Sequence, residues 1–93
     1  VSYAFNNIAS TYREQGEYSK ALDYYNRGLK IREESGARIL IAASLSSIGG
    51  IYKNQGDTAK ALDYFNRSIK IYEEIEDIGG IATVLNNNGG IFK

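Results

Sequence analysis

Polar and basic side chains recur every 40 residues along this chain, at positions that could bind an acidic partner. The basic residues, one in each copy, are Arg13, Lys53 and Lys93. The amide and hydroxyl residues of the same recurrence are Asn6, Ser46 and Asn86, each followed by a second at Asn7, Ser47 and Asn87. Because an amide both donates and accepts hydrogen bonds, such a series suits the backbone of an extended peptide. We therefore predict recognition of a peptide with acidic side chains.

The chain, by contrast, lacks the residue types that most catalytic sites need. The chain has no His and no Cys, which excludes the commonest general base, a thiol nucleophile and thiolate metal sites. Its acidic residues form neighbouring pairs such as Glu33-Glu34 and Glu73-Glu74, and adjacent residues on a helix do not face each other. We therefore expect no enzymatic activity, no cofactor and no metal.

The charge of the chain is balanced. Lys and Arg together number 11, as do Asp and Glu, so the net charge is zero. This balance argues against general binding to nucleic acid or to an anionic membrane surface, which favours a basic excess. No apolar run reaches the roughly 18 residues that a membrane-spanning helix needs. No secretory signal is visible, and we expect a cytoplasmic location.

The elements that carry these residues repeat as well. Residues 41–80 are identical to residues 1–40 at 15 positions, and residues 81–93 match residues 41–53 at 7 of 13 positions. A period of this length is typical of a solenoid, in which each unit buries its apolar face against the next. We predict a single all-α array over 1–93. Its about two and a third units are 1–40, 41–80 and 81–93, which we interpret as a piece of a longer array.

Apolar spacing predicts five helices. Phe5, Ile8 and Tyr12 follow one another in steps of three and four residues, and the same stripe returns in each unit. Such spacing gives one apolar face on an amphipathic helix. The predicted first helices of the units are 2–15, 38–55 and 78–93, and the second helices are 18–34 and 58–74.

Glycine and aspartate mark the ends of these helices. Gly16 and Gly56 stand where a left-handed residue would end a first helix. Asp57 and Asp77 are predicted to cap the helices that follow them, with Glu17 as a weaker equivalent. On the second helices, Asp23 and Arg27 are spaced for an exposed ion pair, as are Asp63 and Arg67.

These positions together resemble the tetratricopeptide repeat family, in its longer 40-residue form, over the whole chain. The residues that carry the resemblance in the first unit are Phe5, Ile8, Ala9, Tyr12, Gly16, Ala21, Tyr25 and Gly28. Their counterparts in the later units agree in class, including Gly49 and Ser68 at small positions. The family's Pro near each repeat end is absent, with Glu33 and Glu73 in its place. The resemblance implies a right-handed solenoid of antiparallel helix pairs and a role in protein–protein interaction.

The resemblance also implies that the first helices line a concave groove where partners bind. The residues that we assign to this groove are Tyr3, Asn6, Asn7, Ser10, Arg13, Ser46, Ser47, Gly50, Lys53, Asn54, Thr83, Asn86, Asn87 and Lys93. We interpret Gly50 as leaving room for the ligand. The family's clamp for chaperone C-termini uses Lys, Asn and Arg at five groove positions. Here those positions hold Asn6, Ser10, Ser47, Thr83 and Asn87. None of them matches the clamp residue at its own position, so we expect no such clamp.

Three other interpretations stay open at this point. The polar face of the first helices could be a solvated surface without a ligand. The Gly49-Gly50 and Gly79-Gly80 pairs suggest phosphate loops, but no strand precedes them and no Lys-Ser/Thr follows. The main alternative function is self-association, because solenoid ends expose apolar stripes such as Phe5 and Ile8 at one end and Leu85 at the other.

Overall fold

Five helices follow one another along the described part of the chain. The computed structural model describes residues 2–88, with side chains described for residues 3–86. The helices are α1 Ser2–Glu14, α2 Tyr18–Ser35, α3 Arg38–Asn54, α4 Thr58–Glu74 and α5 Ile78–Asn88. Their bounds agree with the predicted ones to within one residue, except that the last five residues of the predicted fifth helix lie outside the described range. The predicted all-α solenoid of helix pairs is confirmed.

The chain reverses direction at intervals of 20 residues through a residue with positive φ. Gly16, Gly36 and Gly56 have φ values of 77°, 72° and 80°. Glu76 takes the fourth of these positions with φ 57°, although a side chain disfavours this conformation. The turns therefore share one backbone geometry, and only the last of them forms without glycine.

Short polar side chains hold the N-termini of the later helices, as predicted. The Asp57 side chain accepts a hydrogen bond from the backbone N–H of Lys60 at 3.2 Å. Asp77 Oδ1 accepts one from the backbone N–H of Gly80 at 3.0 Å. Glu17 precedes α2 without a side-chain bond of this kind, which fits the poor preference for Glu at this position.

Small residues allow the two helices of a unit to pack closely. A Cβ atom placed on Gly49 would lie 3.0 Å from the Phe65 ring and 3.2 Å from the carbonyl oxygen of Ala61. One turn further along the same side of α4, Ser68 Oγ donates to the carbonyl oxygen of Ala42 at 2.7 Å. The space between α3 and α4 is thus filled by one aromatic ring and closed by one buried hydrogen bond.

The joint between the second and third units is apolar. Tyr72 at the end of α4 is buried in one core cluster with Val84 of α5. Gly80 lies against the face of the Tyr72 ring, and a Cβ atom there would overlap ring carbons. The absence of a side chain at residue 80 therefore sets how closely α5 approaches α4.

This joint predicts opposite effects for two adjacent substitutions. Gly80→Ala should lower the free energy of unfolding by about 1–3 kcal/mol, because the methyl group must displace the buried Tyr72 ring. Gly79→Ala is the control, since its methyl group would meet only Asp77 Oδ1 at 3.5 Å. It should stabilise the helix by up to about 1 kcal/mol. Chemical denaturation of both variants measures the difference, and equal stabilities would contradict this packing.

The same joint predicts a dependence of stability on alkaline pH. Burial raises the pKa of Tyr72 above its ordinary value of 10.0, and the negative charge of Asp77 raises it further. Above about pH 10 the unfolded chain therefore releases this proton before the folded chain does, so the free energy of unfolding falls as the pH rises through the raised pKa. Tyr72→Phe should flatten the decline above about pH 10. Parallel declines in denaturation series of the two proteins would show that Tyr72 is not responsible.

Candidate functional site

The predicted groove residues differ in how much of each side chain reaches solvent. Those that are exposed are Tyr3, Asn7, Asn54, Thr83 and Asn86; those that are half-buried are Asn6, Ser10, Arg13, Ser47 and Lys53. Ser46 and Gly50 are buried. The side chain of Asn87 and the whole of Lys93 lie outside the described residues. We use the name groove face for this surface of α1, α3 and α5.

Arg13 of α1 lies directly on the backbone of α3 at Gly50. A Cβ atom on Gly50 would come within 2.5 Å of Arg13 Nη2 and 3.1 Å of Arg13 Cζ. The interpretation of Gly50 as an opening for the ligand is therefore corrected, because the Arg13 guanidinium occupies that space. Gly50 instead lets a cation of the first unit rest on the helix of the second.

Asn6 is held by a residue that the sequence interpretation did not single out. We assign the amide with Oδ1 facing Arg32, where it accepts from Nη2 at 3.0 Å and lies 2.8 Å from Nη1, whose two N–H groups it shares with Leu40 and Ser44. The reverse orientation of the amide would place its N–H donors against those of the guanidinium. The acceptor oxygen of Asn6 is thus used inside the protein, which corrects the view of this amide as both donor and acceptor for a ligand.

Arg32 is a buried cation at the joint between the first and second units. Only 3% of its surface is exposed. Nη1 donates to the carbonyl oxygen of Leu40 at 3.0 Å and to Ser44 Oγ at 2.8 Å, and its guanidinium carbon lies 5.3 Å from the centre of the Tyr3 ring. Nε is buried without a hydrogen-bond partner among the residues that the structure describes. Every partner is neutral, so the positive charge is solvated by dipoles and a ring face.

The charge of Arg32 is also uncompensated. No carboxylate among the described residues forms an ion pair with it. Burial lowers the pKa of Arg32 from its ordinary value, and the interaction with Tyr3 partly opposes this effect. Burial of a charge without a counter-ion costs on the order of several kcal/mol.

The two joints of the solenoid fill equivalent buried positions with side chains of different polarity. Arg32 and Tyr72 are 40 residues apart, as are Ser44 and Val84. All four are buried. The first joint is therefore polar, whereas the second is aromatic and aliphatic. Comparing these two pairs of equivalent positions in the sequence is what could have singled out Arg32 as an unusual residue.

Charges are unevenly divided between the first and second helices of the units. All the acidic residues except Glu14 lie on α2, on α4 or in the turns. On α3, Arg38 is paired with Glu74 of α4 at 2.6 Å. Arg13 forms no ion pair among the residues that the structure describes. A protein of zero net charge thus presents a groove face that is poor in negative charge.

Arg27 and Arg67, on the opposite surface, both have partners. Arg27 is 3.0 Å from Asp23, as predicted, and lies 5.3 Å from the centre of the Tyr24 ring. Tyr24 stacks on Tyr12 at 5.7 Å. The same arrangement returns 40 residues later over Tyr64 and Tyr52, but Asp63 makes no ion pair with Arg67 within the described range. We call this surface the outer face.

Other kinds of site find no support in the residues that the structure describes. No group of three or more acidic, His or Cys side chains could hold a metal ion there. No helix in that range is long and apolar enough to cross a membrane. The same part of the chain encloses no pocket, so a ligand of the groove face would lie on an open surface.

Comparison with known proteins finds one matching family and solved structures of similar architecture. A family model described as tetratricopeptide repeat matches residues 1–74. Among solved structures, the chain is similar to BtubC (BKLC) from P. vanneervenii, with 22% identity and a TM-score of 0.81 over 98% of this chain and 37% of that one. It is also similar to the N-terminal domain of stress-induced protein-1 (STI-1) from C. elegans, with 23% identity and a TM-score of 0.74 over 94% of this chain and 67% of that one.

These similarities differ in what they show. No curated protein is matched by the sequence. The likeness to the two solved structures shows the fold alone, and the chain spans little more than a third of the BtubC chain. The family model covers most of the chain, and we conclude that this protein belongs to the tetratricopeptide repeat family.

Proposed function

We propose that this chain is a protein-interaction module that binds an extended peptide with acidic side chains along the groove face. Tetratricopeptide repeats are in general protein-interaction modules, and the ligand class is our own inference. The observation that carries it is the placement of Arg13, which lies across Gly50 between α1 and α3. A cation held there loses little side-chain freedom on binding, which favours affinity.

The distribution of charge supports the same ligand. A negatively charged peptide would meet Arg13 and Lys53 on the groove face, whereas all the acidic side chains but Glu14 lie on α2, on α4 or in the turns. Opposite charge accelerates encounter and excludes partners of the wrong sign. In this proposal the protein acts by holding a partner rather than by catalysis, and a cytoplasmic location stays a prediction.

Calorimetric titration with acidic and basic peptide pools tests the proposed ligand. We expect the acidic pool to bind more tightly, and we expect Arg13→Gln to weaken that binding by roughly threefold to tenfold, as the loss of a charge-assisted hydrogen bond would. Arg27→Gln is the matched control, because it removes the same charge from the outer face. Equal affinity for both pools, or equal loss in the two variants, would refute the proposal.

Self-association is the second candidate function, and it is supported by one comparison of equivalent residues. Ile48 of the second unit is fully buried, whereas Ile8, its counterpart in the first unit, is 41% exposed. A second copy that covered Ile8 would bury apolar surface that a neighbouring unit covers at Ile48.

Sedimentation over a concentration series tests this second candidate. Self-association predicts that the average mass rises with concentration and that Ile8→Ser shifts this rise to higher concentration. Ile39→Ser, which alters another exposed isoleucine (57%) on α3, is the control. A monomer throughout the series would remove this candidate and leave the peptide-binding proposal in place.

A further inference from the structure

The polar joint at Arg32 is not required by the fold. The equivalent joint in the same chain is built from Tyr72, Gly80 and Val84, which are 40 residues beyond Arg32, Leu40 and Ser44. That joint buries Tyr72 and Val84, the counterparts of Arg32 and Ser44, without a charge. Replacing a buried ionic group by packed apolar residues is often neutral or stabilising. Burial of the Arg32 charge costs free energy, and the neighbouring repeat folds without such a charge. We infer that Arg32 has a role beyond packing.

The contacts of Arg32 indicate what that role is. The guanidinium faces Oδ1 of Asn6 with both Nη1 and Nη2, at 2.8 and 3.0 Å, and Nη2 donates to it. Oδ1 and Nδ2 diverge from the same carbon, so fixing the oxygen inward leaves Nδ2 as the atom that can meet a ligand. Asn6 then offers only a donor to the groove face, and a hydrogen-bond acceptor is the only group that can pair with it.

The charge beneath Asn6 decides which acceptor is favoured. Arg32 is separated from the groove face by Asn6 and by the exposed ring of Tyr3, and no acidic side chain of the described residues neutralises it. A neutral carbonyl gains only the hydrogen bond to Nδ2. An ionised carboxylate gains, in addition, the attraction of a buried cation, which solvent screens poorly.

We propose that Asn6 and Arg32 form a carboxylate-selective subsite at the α1 end of the groove face. In it Asn6 contacts the ligand, and Arg32 is a positioning residue that fixes the amide and supplies the charge. The subsite rests on the proposed function, because it names the chemistry of one side chain of the bound peptide. It differs from the Arg13 contact, because here the cation acts from inside the protein.

A variant that needs no ligand tests the internal arrangement. Asn6→Asp places a carboxylate against Nη1 and Nη2 of Arg32, so we expect the Tm to rise by about 4–8 °C and the gain to disappear below about pH 4, where the new carboxylate is protonated. Asn7→Asp is the control, since Asn7 is exposed one residue along the same helix and the substitution alters the charge equally. If both variants shift the Tm equally, Arg32 does not aim its charge at Asn6 and the proposal is overturned.

Binding to matched peptides tests the selectivity. Wild-type protein should bind a Glu-containing peptide about tenfold more tightly than its Gln counterpart, and Asn6→Asp should reverse this preference by repulsion. The variant R32Y/L40G/S44V rebuilds the first joint as the second, so it should fold, bind the Gln peptide as before and lose most of the preference for Glu.

The outcomes separate this subsite from the proposed function. If wild-type protein and the rebuilt variant prefer the Glu peptide equally, the subsite is overturned and the peptide-binding proposal stands. If wild-type protein binds neither peptide, both are overturned. A preference for Glu that falls severalfold in the rebuilt variant alone, with the Tm of Asn6→Asp raised, is the result that the proposal requires.

Discussion

Close contact between neighbouring helices is the constraint on which this structure depends. Within the second unit, Gly49 admits the Phe65 ring to the backbone of α3. Between the second and third units, Gly80 does the same for Tyr72. Helices so close leave no room for adjustment, because packed interiors transmit strain rather than absorb it. The groove face depends on them, since they set the positions of α3 and α5 relative to α4.

The two joints show that this constraint can be met in more than one way. Tyr72 fills its joint with an aromatic ring, whereas Arg32 fills the equivalent space with a guanidinium that is hydrogen-bonded to Ser44, Leu40 and Asn6. In a repeat protein each joint is a separate nearest-neighbour contribution to stability. One joint can therefore be less stable without loss of the fold. Its polar groups can then serve in ligand binding.

Local signals explain why the helices could be predicted from the sequence and the site only in part. The 3.6-residue period, the left-handed Gly16 and the cap at Asp57 act within a few residues, so helix bounds could be inferred closely. The position of Arg13 on Gly50 depends on how α1 crosses α3, and the burial of Arg32 depends on three helices at once. Neither follows from one helix, although comparing Arg32 with Tyr72 across the repeat reveals the change of polarity.

The groove face is proposed to bind a carboxylate-bearing peptide across α1 and α3. NMR chemical-shift changes along the backbone, mapped during titration with such a peptide, test this binding mode. We expect the largest changes at Asn6, Arg13 and Gly50, with little change at Asp23 and Arg27 on the outer face. Changes concentrated on α2 and α4, or no change at saturating peptide, would contradict it.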